Sequence, residues 1–285
     1  MDIDNWKDEE IKDILIFSDE AGTEREDFLS YGLICIERKR FNEIINKLLS
    51  IKEKHKCLRE IHYSELPNAF NSTRLKTAID WLKAVITESI KEFIFQYSEI
   101  HISNNHFSKD KFSEDHHLYN YFYNSAIRCL IHRQYKNCKI NITWILHRRE
   151  ESKKTINDPF CKIDYLKEVI SKMKIIPKNI EIKESHFETE KDKKIGTAIE
   201  FVDLLLSSTR NAIHENSTKS RGKATVSQMA SEIFKRNEEK YYTERNFSYS
   251  RFPNELKQFY DIKKLKIAPK YYDTPHTNKT LSSFF

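Results

Sequence analysis

Three acidic residues, far apart in the chain, stand where chemistry could be done. Asp19 closes the apolar run Ile14-Leu-Ile-Phe17 and is followed by Glu20 and Gly22. Glu60 precedes His62 by two residues in Leu58-Arg-Glu-Ile-His-Tyr-Ser-Glu-Leu66. Asp203 lies inside Ile199-Glu-Phe-Val-Asp-Leu-Leu-Leu206. Carboxylate oxygens suit a hard divalent cation such as Mg²⁺. Two such ions about 4 Å apart can clamp the attacking and leaving oxygens of a phosphodiester. That chemistry needs three or four acidic ligands from separate elements, and Asp19, Glu60 and Asp203 are of the right type. A plainer reading stands beside each. Asp19 can be an ordinary strand end, His62 a hydrogen-bonded surface histidine, and Asp203 the partner of Arg210 or another cation.

The elements that must position these residues follow from pattern. Residues 14–17 form a short apolar run bounded by a turn signal, which reads as a strand buried on both faces. Asp19 then sits at its carboxyl end, where open α/β sheets place their chemistry. Residues 28–36 follow across a short turn, so the two strands pair antiparallel. Phe41, Ile44, Ile45, Leu48 and Leu49 recur at helical spacing within residues 39–54. In the extended segment 58–66, period-two geometry places Glu60 and His62 on one side. Asn71 or Ser72 caps a helix reaching about residue 89. Further strands are expected over 93–102, 139–146 and 179–183, and helices over 113–133, 158–174, 196–213 and 226–240. The helix from Gly196 is apolar nearly all round and therefore buried. A buried ionised Asp203 then needs a cation, hydrogen-bond donors or a proton.

Composition narrows the class. The 285 residues include 39% hydrophobic and 32% charged side chains and carry a net charge of +6. A sizeable core is available, and disorder is not indicated. No apolar run approaches the roughly 20 residues that span a bilayer, so no membrane association is expected. The acidic start of the chain lacks a signal-peptide core, which points to a cytoplasmic protein. Five scattered cysteines lack metal-binding spacing and are expected to be reduced. His116 and His117, adjacent at a helix start, point in different directions and do not share a metal.

The character changes near residue 217. Lys219, Arg221 and Lys223 form a basic loop, and residues 241–285 hold 11 aromatics with eight Lys/Arg against four Asp/Glu. Rings can stack on bases while cations meet phosphates. Equally, the rings can pack in the core and the cations be solvated. The expected organisation is an α/β domain over residues 1–216, with residues 217–285 as a helical and irregular extension packed on it.

These motifs together resemble a bacterial family designated domain of unknown function 3800, to which a ribonuclease-H-like fold is assigned. The resemblance rests on Asp19-Glu-Ala-Gly22, on Glu60-Ile-His62, and on Glu184-Ser185 leading to Ile199-Glu-Phe-Val-Asp-Leu-Leu205. It spans residues 13 to about 214. It implies a mixed central sheet flanked by helices and a nuclease using Mg²⁺ or Mn²⁺, with RNA the favoured substrate. In that reading Asp19, Glu60 and Asp203 hold the metal, and His62 binds metal or relays a proton. Glu20, Glu200 and Ser185 stand behind them. The family often ends a later strand in aspartate; this chain has His147 there, which suits Mn²⁺ or Zn²⁺ better than Mg²⁺. Either metal choice has shifted, Glu150 or Glu151 substitutes, or catalysis is weakened. The resemblance also implies a setting in defence against phage, with a protein partner. The competing reading is a binding or scaffold subunit that keeps the fold without turnover.

Overall fold

The computed structural model describes residues 11–22, 28–102, 125–127, 130–131, 134–135, 139–147, 176–185, 193–214, 220–239 and 246–252. Among them, six strands form one sheet in the order β5-β4-β1-β2-β3-β6. The strands are β1 Lys12–Ala21, β2 Phe28–Glu37, β3 Phe93–His101, β4 Lys139–His147, β5 Ile176–Ser185 and β6 Phe247–Phe252. β1 is central. It runs antiparallel to β2 and parallel to β4. β2 and β3 are antiparallel, while β5 runs parallel to β4 and β6 parallel to β3. The mixed sheet flanked by helices is the architecture expected from the sequence.

Side chains alternate across β1 and build two cores. Leu15 and Phe17 face helices α1 (Arg38–Lys54), α2 (Thr73–Ile86), α3 (Lys193–Ile213) and α4 (Arg221–Glu239). Ile14 and Ile16 face the opposite layer, which includes Ala126, Ile127, Leu130 and Ile131. α1 is amphipathic and buries Ile44, Ile45 and Leu48. α3 buries Ile199, Phe201, Val202 and Leu204 to Leu206, so it lies within the core rather than on it. Gly22 ends β1 with φ of 102°, a conformation that side chains rarely tolerate.

Several expectations from pattern need adjustment. α2 stops at Ile86 and α4 begins at Arg221. The extended segment tightens into a 3₁₀ turn at Tyr63–Glu65 just after His62. The largest difference is β6, which lies in a stretch read as helical or irregular. It forms an outer strand of the sheet beside β3, while α4 packs among α2 and α3. Cys35 and Cys57 are free and buried, as expected of reduced cysteines. The helix expected at 158–174, the His116-His117 pair, and Cys129, Cys138 and Cys161 lie outside the described residues.

Candidate functional site

Asp19 takes the last fully buried position of β1, with 6% of its surface exposed. Its partner across the β1–β2 ladder is Gly32. A Cβ on Gly32 would stand 2.8 Å from the Leu206 Cβ of α3, so α3 rests directly on the sheet at this point. Asp19 shares that face with Leu15 and Phe17 by strand alternation. Leu206 is three residues beyond Asp203, close to one helical turn. α3, the helix that carries Asp203, thus packs on the sheet at the level of Asp19. The Glu20 N–H donates to Asp19 Oδ1 at 2.9 Å. Glu20 itself pairs with Tyr31, a residue of the opposite core, so it belongs to the other face.

Glu60, His62 and Asp203 form a chain of contacts. His62 Nε2 lies 3.3 Å from Glu60 Oε2, and its Nδ1 lies 3.5 Å from Asp203 Oδ2. Asp203 also accepts the Tyr63 N–H on Oδ2 at 3.0 Å and the Ser207 hydroxyl on Oδ1 at 3.0 Å. The hydrogen bond to Asp203 raises the His62 pKa to about 9; burial opposes the shift, and the charges of Asp203 and Glu60 add to it. His62 is therefore an imidazolium at neutral pH, held between two carboxylates. The same-side placement of Glu60 and His62 follows the reading of the segment.

Behind this chain stands Glu200, one turn before Asp203. Its side chain is 4% exposed and forms an ion pair with Lys52 of α1 at 2.8 Å. Glu200 Oε2 also accepts the Ile61 N–H at 3.2 Å. Burial pushes the Glu200 carboxyl up, against the pull of Lys52.

The remaining predicted residues are placed by the backbone. Asp19 follows Ser18 and His147 follows Leu146, and Ser18 pairs with Leu146 between β1 and β4. His147 in turn pairs with Ser185 of β5. Asp19, His147 and Ser185 thus sit at the carboxyl ends of three adjacent parallel strands. Arg221 is exposed at the start of α4. The Lys223 ammonium stands 5.9 Å from the centre of the Tyr63 ring, whose hydroxyl bonds Ser227. Lys219, Glu150 and Glu151 lie outside the described residues.

The metal expectation meets a different arrangement. Among the described residues, no three His, Cys, Asp or Glu side chains form a group that could hold a metal ion. Charge between Glu60 and Asp203 is balanced by the His62 imidazolium, and both Asp203 oxygens already accept hydrogen bonds. As arranged, these residues do not fit the Mg²⁺ or Mn²⁺ expected from the sequence. Of the partners expected for Asp203, Arg210 or another basic residue, the structure supplies the second in His62, with Tyr63 and Ser207 as further donors.

No family model matches the chain, and no curated protein matches it. Among solved structures, the chain is similar to a point mutant of Bst-RNase HIII, with 15% sequence identity and a TM-score of 0.31. The match covers 81% of this chain and spans 64% of the length of that one.

Two groups of functional interest escaped the sequence reading. Lys52 follows Leu48 by one helical step on the inner face of α1, and a cation in that row was the available signal. Glu99 continues the row Phe93, Phe95, Tyr97 on β3 and is only 1% exposed. It accepts the Tyr97 hydroxyl at 2.9 Å, approaches His214 Nε2 at 2.8 Å and accepts the Tyr249 hydroxyl from β6. A charged residue in an aromatic row marks such a cluster.

Proposed function

We propose that the chain is a hydrolase of nucleic-acid phosphodiesters, with RNA the favoured substrate. The observation that carries the reading is the His62 ring held between Glu60 and Asp203, the latter on the helix that also covers the sheet at Asp19. Phosphodiester hydrolysis needs one group to take a proton from water and another to give one to the departing oxygen. In this reading the substrate displaces Glu60 from Nε2, and that N–H protonates the leaving oxygen. Asp203 keeps Nδ1 oriented, and Asp19 accepts the proton of the attacking water. Lys223 and Arg221 draw in the phosphate backbone. The resemblance to the bacterial family supports the same class of reaction and extends the proposal to a setting in phage defence with a protein partner.

The test is cleavage of end-labelled single-stranded RNA, DNA and RNA–DNA hybrid, in Mg²⁺, Mn²⁺ or excess chelator. Wild type should cleave RNA, and Asp19→Asn and His62→Gln should be inactive while melting as folded proteins. Equal products from wild type and both variants would end the proposal. Cleavage that survives chelation is expected from the arrangement described; cleavage that strictly requires metal would mean that Glu60 and Asp203 release His62 on loading.

A second reading has its own observation. The carboxylates are already neutralised by His62, which suits a subunit that binds nucleic acid without turnover. Gel-shift binding with no product in any of the three conditions would favour it.

A further inference from the structure

We infer that Glu200 is a positioning residue for His62, acting through the backbone of residues 61–63. Two carboxylates from successive turns of α3 grip this short segment on either side of the histidine. Glu200 Oε2 accepts the Ile61 N–H at 3.2 Å, and Asp203 Oδ2 accepts the Tyr63 N–H at 3.0 Å. The 3.6-residue period of the helix puts positions three apart on one face. Alternate amides of an extended segment likewise point the same way. The two periodicities match, so the segment lies along α3 with His62 between the two grips.

Each grip is itself held. Lys52 donates to both Glu200 oxygens, at 2.9 and 2.8 Å. Asp203 takes the Ser207 hydroxyl on its other oxygen. Past the second grip, the Tyr63 hydroxyl meets Ser227 Oγ at 2.8 Å, and Ser227 also takes the Asn211 amide. Residues 61–63 are thus tied to α1, α3 and α4 at once. Ile61 is fully buried, so its N–H has no recourse to water and needs this acceptor. Glu200 never touches the imidazole; it sets where the ring can stand.

Two full-length double variants isolate the effect. Lys52→Met/Glu200→Gln removes both charges but keeps an acceptor for Ile61. Lys52→Met/Glu200→Met removes both charges and the acceptor. The His62 ring signals are read by ¹H–¹⁵N spectra of histidine-labelled protein and assigned with His62→Gln. They should stay near wild type in the Gln double variant and move in the Met one. Signals unmoved in the Met variant, or moved equally in both, overturn the inference. If the Met variant does not fold, Glu200→Asp replaces it: the charge stays, the carboxylate withdraws by one methylene, and the ring signals must move or the inference fails.

The kinetic consequence rests on the hydrolase reading. There kcat should be roughly 10- to 100-fold lower in the Met than in the Gln double variant, with KM little changed, as for misplacement of a reacting group by about 1 Å. The ring signals need no turnover, so an inactive wild type would refute the hydrolase reading and leave this test intact.

Discussion

Gly32 lies directly across the sheet from Asp19, and its missing side chain is the space in which Leu206 rests. The contact between α3 and the sheet is fixed there by one hydrogen atom. Gly32→Ala would bring a Cβ within 2.8 Å of the Leu206 Cβ. Neither atom is the tip of a flexible chain, so the helix or the strand must shift. We expect a loss of about 1–3 kcal/mol, as for overpacked cores, read from urea denaturation. Cleavage should fall by more than the unfolded fraction explains, because Asp203 travels with Leu206. An unchanged midpoint would contradict the close approach.

The His62 imidazolium makes stability depend on alkaline pH. Its folded pKa of about 9 lies above the ordinary value of 6.5, because Asp203 and Glu60 favour the charged ring. A raised pKa means that the folded state holds the proton more tightly than the unfolded chain. The stabilisation is complete below about pH 6.5 and is lost as pH rises through about 9. Thermal midpoints across this window should fall in wild type by an amount missing from His62→Gln. Parallel curves for the two proteins would show that the ring is not so held.

Lys52 and Glu200 form a buried ion pair, with side chains 11% and 4% exposed. Lys52→Met alone leaves a carboxylate in the core without its cation. Breaking such a pair costs about 3–5 kcal/mol, so this single variant should be the most destabilised of those named here. Adding Glu200→Gln should recover part of the loss. Chemical denaturation of the two proteins decides the matter, and a milder single than double variant would refute it.

Tyr249→Phe tests the attachment of β6. Its hydroxyl donates to the buried Glu99, which also takes Tyr97 and meets His214. Hydrogen bonds to charged groups contribute about 1.5–3 kcal/mol. The variant should lose stability in that range, and amide exchange should quicken in Phe247–Phe252 before it does in β1. Uniform exchange along both strands would argue against a local tie.

Patterns with strong periodicity were legible from sequence. The buried run ending at Asp19, the greasy helix around Asp203 and the alternation that pairs Glu60 with His62 all follow from spacing. What spacing does not encode is which charge answers which. Lys52 and Glu200 are 148 residues apart, and only packing of α1 against α3 makes them partners. The same limit hides which residue meets Asp203: the His62 ring, 3.5 Å away, comes from 141 positions earlier in the chain. β6 was missed for another reason. Residues 247–250 alternate aromatics with serines, but the surrounding stretch is so rich in charge and rings that composition masked a six-residue strand.

That strand has a consequence for how the protein is made. β3 runs from residue 93 to 101, yet its outer neighbour is synthesised some 150 residues later. During translation the edge of β3 stays unpaired until β6 is made, and open edges invite pairing with other chains. Until residues 247–252 are made, the backbone of β3 at Phe95 and Tyr97 has no outer strand to pair with.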